Sequence, residues 1–250
     1  MESITYRTNM HVDLRDVDFA KELKLSTLFS YFQDVASLAA ENLGWGIEQL
    51  AYKYGVAWVL MRIRVEVTRM PKYNEEITIE TWPHEPKRIE FERDFLVRNT
   101  RGDILIKASS IWVLMDINER KLKRNDSIGI QYPAVREERA LNNKLSKLQD
   151  YGNIEKVYKK VIGYSDIDFN GHLNNSKYVD YVMDVFPIEK HNQFEVKSVE
   201  MNFNNEAFPG ETIILYKDIT QSEDDIIYIE GRNEDNSKTL FKSLVEIKER

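Results

Sequence analysis

The chain has 250 residues, with 35 Lys and Arg against 42 Asp and Glu, a net charge of -7 and no cysteine. The missing cysteine excludes disulfides, thiolate metal sites and a thiol nucleophile, and the acidic balance disfavours generic nucleic-acid binding, which runs on an excess of Lys and Arg. No stretch approaches the roughly 18 apolar residues of a membrane span, and the start, MESITYRTNMHVDLRD, lacks the basic and apolar runs of a signal peptide, so a cytoplasmic protein is the expectation.

The first predicted element is a helix. Leu25, Leu28, Phe29, Phe32, Val35, Ala36, Ala39, Ala40 and Leu43 recur at i, i+3, i+4 and i+7, with Ser26 as the expected N-cap and Gly44 as the stop. Strands follow. Ala57–Thr68 alternates, placing Val59, Met61, Ile63, Val65 and Val67 on one side, and Ile77–Trp82, Ile89–Asn99 and Ile104–Asp116 continue the pattern, with a hairpin turn at Asn99–Gly102. Residues 126–155 are polar and charged and read as a linker with some helix. Beyond it a helix is expected over Asn175–Val185, stopped by Pro187, then strands near Val196–Phe203, Glu211–Ile219, Asp225–Arg232 and Thr239–Lys248.

The element order repeats, and so do residues. DVDFAKELKLS (16–26) matches DIDFNGHLNNS (166–176), so Asp16, Asp18, Phe19, Leu23 and Ser26 recur as Asp166, Asp168, Phe169, Leu173 and Ser176, and Tyr31 recurs as Tyr181. Val65-Glu66-Val67 with Pro71 and Glu75 pairs with Val199-Glu200-Met201 with Pro209 and Glu211; Arg98-Asn99, Leu105 and Lys107 pair with Arg232-Asn233, Leu240 and Lys242. Matches in the same order, at a separation far beyond any solenoid period, indicate a duplicated domain. The expected fold class is α+β: two tandem hotdog domains, each a curved antiparallel sheet wrapped around a helix, over 1–125 and 156–250.

The phrase DIDFNGHLNNSKYVDYV resembles the signature of hotdog thioesterases. WVLMRIRVEVTRMPKYNEEITIETW (58–82) and ERDFLVRNTRGDILIKASSIWVLMDINERKLKR (92–124) resemble the most characteristic stretches of the acyl-carrier-protein (ACP) thioesterase family, bacterial type. The resemblance implies a catalytic loop of Asp168, Asn170 and His172, faced by Glu206 in the phrase FNNEAF. Plant members carry a cysteine after that glutamate; Ala207 stands here, so no thiol mechanism is available.

Thioester hydrolysis requires an activated nucleophile and donors for the oxyanion that develops on the carbonyl. Either Glu206 or His172 can activate water, Asn170 can orient water or substrate, and Asp168 can position the group; direct attack by Asp168 remains open. Backbone N–H groups at Gly171 and His172 are the expected oxyanion donors. The plainer view is that Asp or Asn before a helix is a cap or turn residue and a lone histidine is structural. Against it, the first copy has Ala20 and Glu22 where the second has Asn170 and His172, so the fold residues recur and the polar pair does not. His11, His84 and His191 have no partners at metal-ligand spacing; no metal and no cofactor are expected.

The resemblance implies an enzyme of lipid metabolism, releasing free fatty acid and ACP from acyl-ACP in the course of fatty-acid synthesis. The second half is then catalytic, and the degenerate first half receives the acyl chain, lined by the Leu25–Leu43 helix and the Val59–Val67 strand. Each buried methylene contributes about 0.8 kcal/mol, so pocket depth would grade chain length. Carrier protein is acidic, and Arg120, Lys121, Lys123 and Arg124 are the expected contact; a homodimer is compatible with the sequence. The alternatives are an acyl-CoA thioesterase, a non-catalytic acyl-binding module and a hotdog hydratase.

Overall fold

The computed structural model describes residues 4–150, 153–218 and 226–250; positions 151 and 152 of the expected linker, and Ile219 and Asp225 at the ends of expected strands, lie outside them. In chain order the elements are strand β1 (Tyr6–His11), helices α1 (Leu25–Asn42) and α2 (Ile47–Tyr54), and strands β2 (Val56–Val67), β3 (Glu76–Pro83), β4 (Phe91–Asn99), β5 (Ile104–Asp116) and β6 (Leu122–Lys123). Then come β7 (Ile154–Val161), helix α3 (Asn175–Asp184), β8 (Phe194–Phe203), β9 (Thr212–Asp218), β10 (Ile226–Asn233) and β11 (Thr239–Glu249).

The chain divides into two compact units, one comprising Met1–Val17, Lys21–Leu23 and Tyr31–Leu145, the other Asp18–Ala20, Lys24–Ser30 and Ser146–Arg250. Within the first, the antiparallel order is β1-β3-β4-β5-β2, with β6 on β5; within the second it is β7-β9-β10-β11-β8. The two orders are the same path traced twice, as the α+β duplication requires.

Burial explains the elements. Leu28, Phe29, Phe32, Val35, Ala36 and Ala39 form the buried stripe of α1, and Phe32 stacks on Phe95 of β4 with ring centroids 4.6 Å apart. Ser26 falls inside the first turn of α1 rather than capping it. In the second copy the cap is Asn174, whose side chain accepts the Ser176 N–H at 2.9 Å.

Three expectations need correction. The strands β1 and β7 that open each copy escape the pattern because neither has a continuously buried face; in β7 nearly every position is exposed. The alternation of β2 resets at a bulge between Leu60 and Arg62, so Val56, Leu60, Ile63 and Val65 are buried while Val59 and Met61 are only partly so. The helix expected between the halves is absent from the described residues 128–150, which carry no helix or strand after the 3₁₀ turn at Asn125–Ser127. That chain is tied to the first unit's sheet. Trp82 Nε1 donates to the Glu138 carbonyl at 3.0 Å, the Arg136 guanidinium stacks 4.0 Å over the Trp82 ring, and the Ala140 N–H donates to Asp94 Oδ2 at 2.8 Å.

The internal match also shifts. Thr68 and Arg69 N–H donate to the Leu105 carbonyl as Asn204 and Asn205 donate to that of Leu240, which makes Val65 the counterpart of Met201, not Val199. The slip is two residues, which keeps every side chain on its face and so hides in an alternating pattern. Among the described residues no helix is long and apolar enough to cross a membrane.

Candidate active site

In the second unit, β7 leads through a 3₁₀ turn, Tyr164–Asp166, into the loop that carries the sequence signature. Asp166 Oδ2 accepts the Gly163 N–H at 2.9 Å and the Asp166 carbonyl accepts the Asn174 N–H at 2.9 Å, tying the loop's entry to the cap of α3. Ile167 and Leu173 bridge across its base. At the tip the chain turns at Gly171 with φ +80°, a conformation that costs glycine nothing.

Asp168 organises this loop. Its Oδ1 accepts the N–H groups of Asn170 at 2.9 Å and His172 at 3.2 Å, its Oδ2 lies 3.4 Å from the Asn170 amide, and its own N–H donates to the His172 carbonyl at 2.8 Å. The expected oxyanion donors are therefore consumed: the His172 N–H goes to this carboxylate and the Gly171 N–H to the Asp168 carbonyl at 3.0 Å. A turn this tight closes on its own N–H groups, a pattern that residue spacing does not reveal. The side-chain amide of Asn170 is exposed, and beyond the N–H directed at Asp168 Oδ2 it carries a second donor.

The second half of the site is the turn after β8. Asn204 and Asn205 donate their N–H groups to the Leu240 carbonyl, Asn205 Nδ2 donates to the Thr239 carbonyl at 2.7 Å, and Glu211 Oε2 accepts the Phe208 N–H at 2.9 Å. The Leu173 N–H reaches the Ala207 carbonyl at 2.9 Å and joins turn to loop. This junction sets His172 Nδ1 3.3 Å from Glu206 Oε1, with the Phe208 ring edge-on to the imidazole at 5.0 Å. The two side chains are 22% and 34% exposed, so the pair is sheltered but open to a substrate. Ala207, at the plant cysteine position, is fully buried.

Under the turn lies Tyr178 of α3. It is 3% exposed and packs edge-on against Phe203 and Phe241, with centroids at 5.6 and 5.4 Å. Phe241 fits because Gly231 stands opposite it on β10: a Cβ there would lie 2.1 Å from the ring. Burial first, then the Glu206 carboxylate and, more weakly, that of Asp168, push the Tyr178 hydroxyl pKa up, so it stays protonated.

The first sequence copy folds the same loop and turn. The Asp13 N–H donates to Asp16 Oδ2, Ala20 N–H to Asp18 Oδ1, Leu23 N–H to the Pro71 carbonyl and Lys72 N–H to Glu75 Oε2, bond for bond as in the second. These correspondences place Ala20, Lys21, Glu22, Leu28 and Met70 where Asn170, Gly171, His172, Tyr178 and Glu206 stand. The site's side chains occur in one copy.

The basic candidates and the remaining histidines lie elsewhere. Arg120, Lys121, Lys123 and Arg124 lie in and just after the β5–β6 hairpin, where Lys123 pairs with Asp116 at 3.0 Å and Lys121 with Glu119 at 3.5 Å. His11 bonds Asp13, His84 is buried 2.9 Å from Asp94, and His191 packs against Phe186 and Phe194. Among the described residues no group of three or more His, Asp or Glu side chains is arranged to hold a metal ion.

Two copies of a sheet-and-helix unit, with an acid–histidine pair built on one of them, define a tandem hotdog protein. The family model for the acyl-ACP thioesterase N-terminal domain matches residues 3–127 and that for the C-terminal domain matches residues 151–243, so the chain belongs to the acyl-ACP thioesterase family. It is 26% identical to oleoyl-acyl carrier protein thioesterase 2, chloroplastic, of Arabidopsis thaliana and 23% identical to that plant's palmitoyl-acyl carrier protein thioesterase, over 82% of this chain in each case. The chain spans 60% and 53% of the length of those relatives. An acyl-ACP thioesterase from Bacteroides thetaiotaomicron superposes with a TM-score of 0.87 at 25% identity, covering 98% of both chains. The 12:0-ACP thioesterase of Umbellularia californica shares the fold, with a TM-score of 0.82 at 21% identity over 100% of this chain and 99% of that one.

Proposed function

We propose that this chain hydrolyses fatty acyl-ACP to free fatty acid and carrier protein, with one catalytic site, in the second unit. The observation that carries the reading is the His172–Glu206 pair at 3.3 Å on a turn whose first-copy counterpart holds Glu22 and Met70. Family membership directs it to thioesters on carrier protein.

The geometry supports one division of the roles that residue types left open. Glu206 accepts from His172 Nδ1, which fixes the ring and leaves Nε2 as the base toward water. Water adds to the thioester carbon as its proton passes to Nε2, and the oxyanion is met by the Asn170 amide. The intermediate collapses with cleavage of the C–S bond, the electron pair leaving on sulfur. A thiol has a pKa of about 8.5, so the leaving thiolate needs little acid help, and His172 returns the proton afterwards. Asp168, its carboxylate engaged with two backbone N–H groups, holds the loop rather than attacking. Helix α1 and strand β2 of the first copy would take the acyl chain, and Arg120, Lys121, Lys123 and Arg124 would meet the acidic carrier. The lack of cysteine fits a reducing, cytoplasmic setting.

The test is a mass-resolved assay of the purified protein on acyl-ACP and acyl-CoA panels graded by chain length. Free acid released faster from carrier protein supports the reading. Free acid from coenzyme A alone makes it an acyl-CoA thioesterase, and an altered acyl group on an intact thioester makes it a hydratase; binding without any product leaves an acyl-binding module.

A further inference from the structure

Tyr178 has no part in the chemistry above, yet it is the buried polar side chain lying against the Glu206 turn. Its hydroxyl donates to the Asn205 carbonyl at 3.4 Å, and the Ala207 N–H is a backbone hydrogen-bond partner of the same oxygen. Those two groups belong to the peptide units that flank the α-carbon of Glu206. A neutral hydroxyl can donate to the first while accepting from the second, so one oxygen fixes both backbone torsions of the residue that must meet His172. We infer that Tyr178 is a positioning residue for Glu206, acting on the rate of the proposed thioester hydrolysis through the Glu206–His172 contact; the inference rests on that reading of the site.

The first copy supports this independently. Where Met70 replaces Glu206, Leu28 replaces Tyr178, and the ring's supports change with it: Phe241 and Gly231 on β11 and β10 correspond to Ile106 and Val97, paired across β5 and β4 in the same register. Leu28 is fully buried, so a hydrocarbon side chain satisfies the fold at this position. A hydroxyl there, with a glycine cleared to admit the aromatic ring beside it, occurs in the copy whose turn carries a carboxylate.

Tyr178→Phe removes the one oxygen and keeps the packing. The expected result is a kcat lowered about tenfold or more, in line with the cost of misplacing a reacting group, with KM for acyl-ACP within about twofold. In a Glu206→Gln background the same substitution should have little further effect, because its route to the chemistry is already removed. Amide hydrogen exchange gives the second readout: the Ala207 N–H should exchange faster in Tyr178→Phe while the amides of β9 keep their protection. A kcat unchanged by Tyr178→Phe, an equal fractional loss in the Glu206→Gln background, or unchanged exchange at Ala207 would overturn the inference. A wild-type protein without thioesterase activity would sink the functional reading instead, and the exchange measurement would still decide what the hydroxyl holds.

Discussion

The loop of residues 13–23 and the loop of residues 163–173 share a set of hydrogen bonds and carry different side chains. Both use an aspartate to close a 3₁₀ turn, a second aspartate to take the N–H two residues on, and a leucine N–H to reach the turn after the long strand. What differs is what points outward: Ala20, Glu22 and Met70 in one, Asn170, His172 and Glu206 in the other. The scaffold bonds belong to the fold, since a buried turn with unpaired N–H groups is costly whether or not it does chemistry. Function is then a matter of a few side chains set on a frame that both copies keep.

The first test of that contrast carries the largest expected effect. Glu206→Gln retains an acceptor for His172 but removes the charge that stabilises its protonated form, and should lower kcat about 10²- to 10⁴-fold; Met70→Gln in the first copy should change it less than about twofold. A steady-state comparison of the two variants on one acyl-ACP decides it. Asp168→Asn comes next. If the carboxylate organises the loop, one oxygen can still accept the two N–H groups, and kcat should fall less than in Glu206→Gln. A complete loss that exceeds the Glu206 effect would make Asp168 the nucleophile.

Backbone strain gives a smaller and sharper contrast. Gly171 and its counterpart Lys21 both sit in the left-handed region, with φ of 80° and 61°, but only the lysine already bears the cost of a Cβ there. No atom lies within 4 Å of a Cβ added at Gly171, so Gly171→Ala should cost about 1 kcal/mol through conformation alone, whereas Lys21→Ala should fall within about 0.5 kcal/mol of neutral. Urea unfolding of both variants measures it.

The smallest effect is electrostatic. In the first unit Arg69 grips Glu75 at 2.7 Å, where the second unit has Asn205 and Glu211. Hydrogen bonds from Arg69, with those from the Lys72 backbone, hold the Glu75 carboxyl below the ordinary value of 4.5. Since the folded state favours the ionised form, this contribution is complete above 4.5 and is lost as pH falls through the lower folded value. Glu75→Gln should therefore cost about 0.2 to 1 kcal/mol near neutral pH and nothing once the carboxyl is protonated, so the two melting curves converge on acidification. A constant gap at every pH would show that the pair is not the cause.

What residue order could show follows from where burial is periodic. The stripe of α1 is legible because one face of it is dry, while β1 and β7, which bury no position, have no such signal. The duplication was visible in Asp16, Asp18 and Leu23, but strand register was ambiguous by two residues because alternation is blind to even slips. At the site, His172 and Asn170 stood out by contrast with Glu22 and Ala20. Glu206 entered only through family resemblance, being remote in the chain, and the consumed N–H groups of Gly171 and His172 depend on turn geometry that spacing does not encode. Tyr178 escaped because an aromatic at helical spacing reads as core, which it also is.

The claim of one catalytic copy is tested most directly by His172→Ala and Glu22→Ala, made separately and assayed side by side for free fatty acid released from acyl-ACP. The account predicts a loss of at least about 100-fold for His172→Ala and a rate within about twofold of wild type for Glu22→Ala. Equal losses in both, or an unchanged rate in His172→Ala, would contradict it.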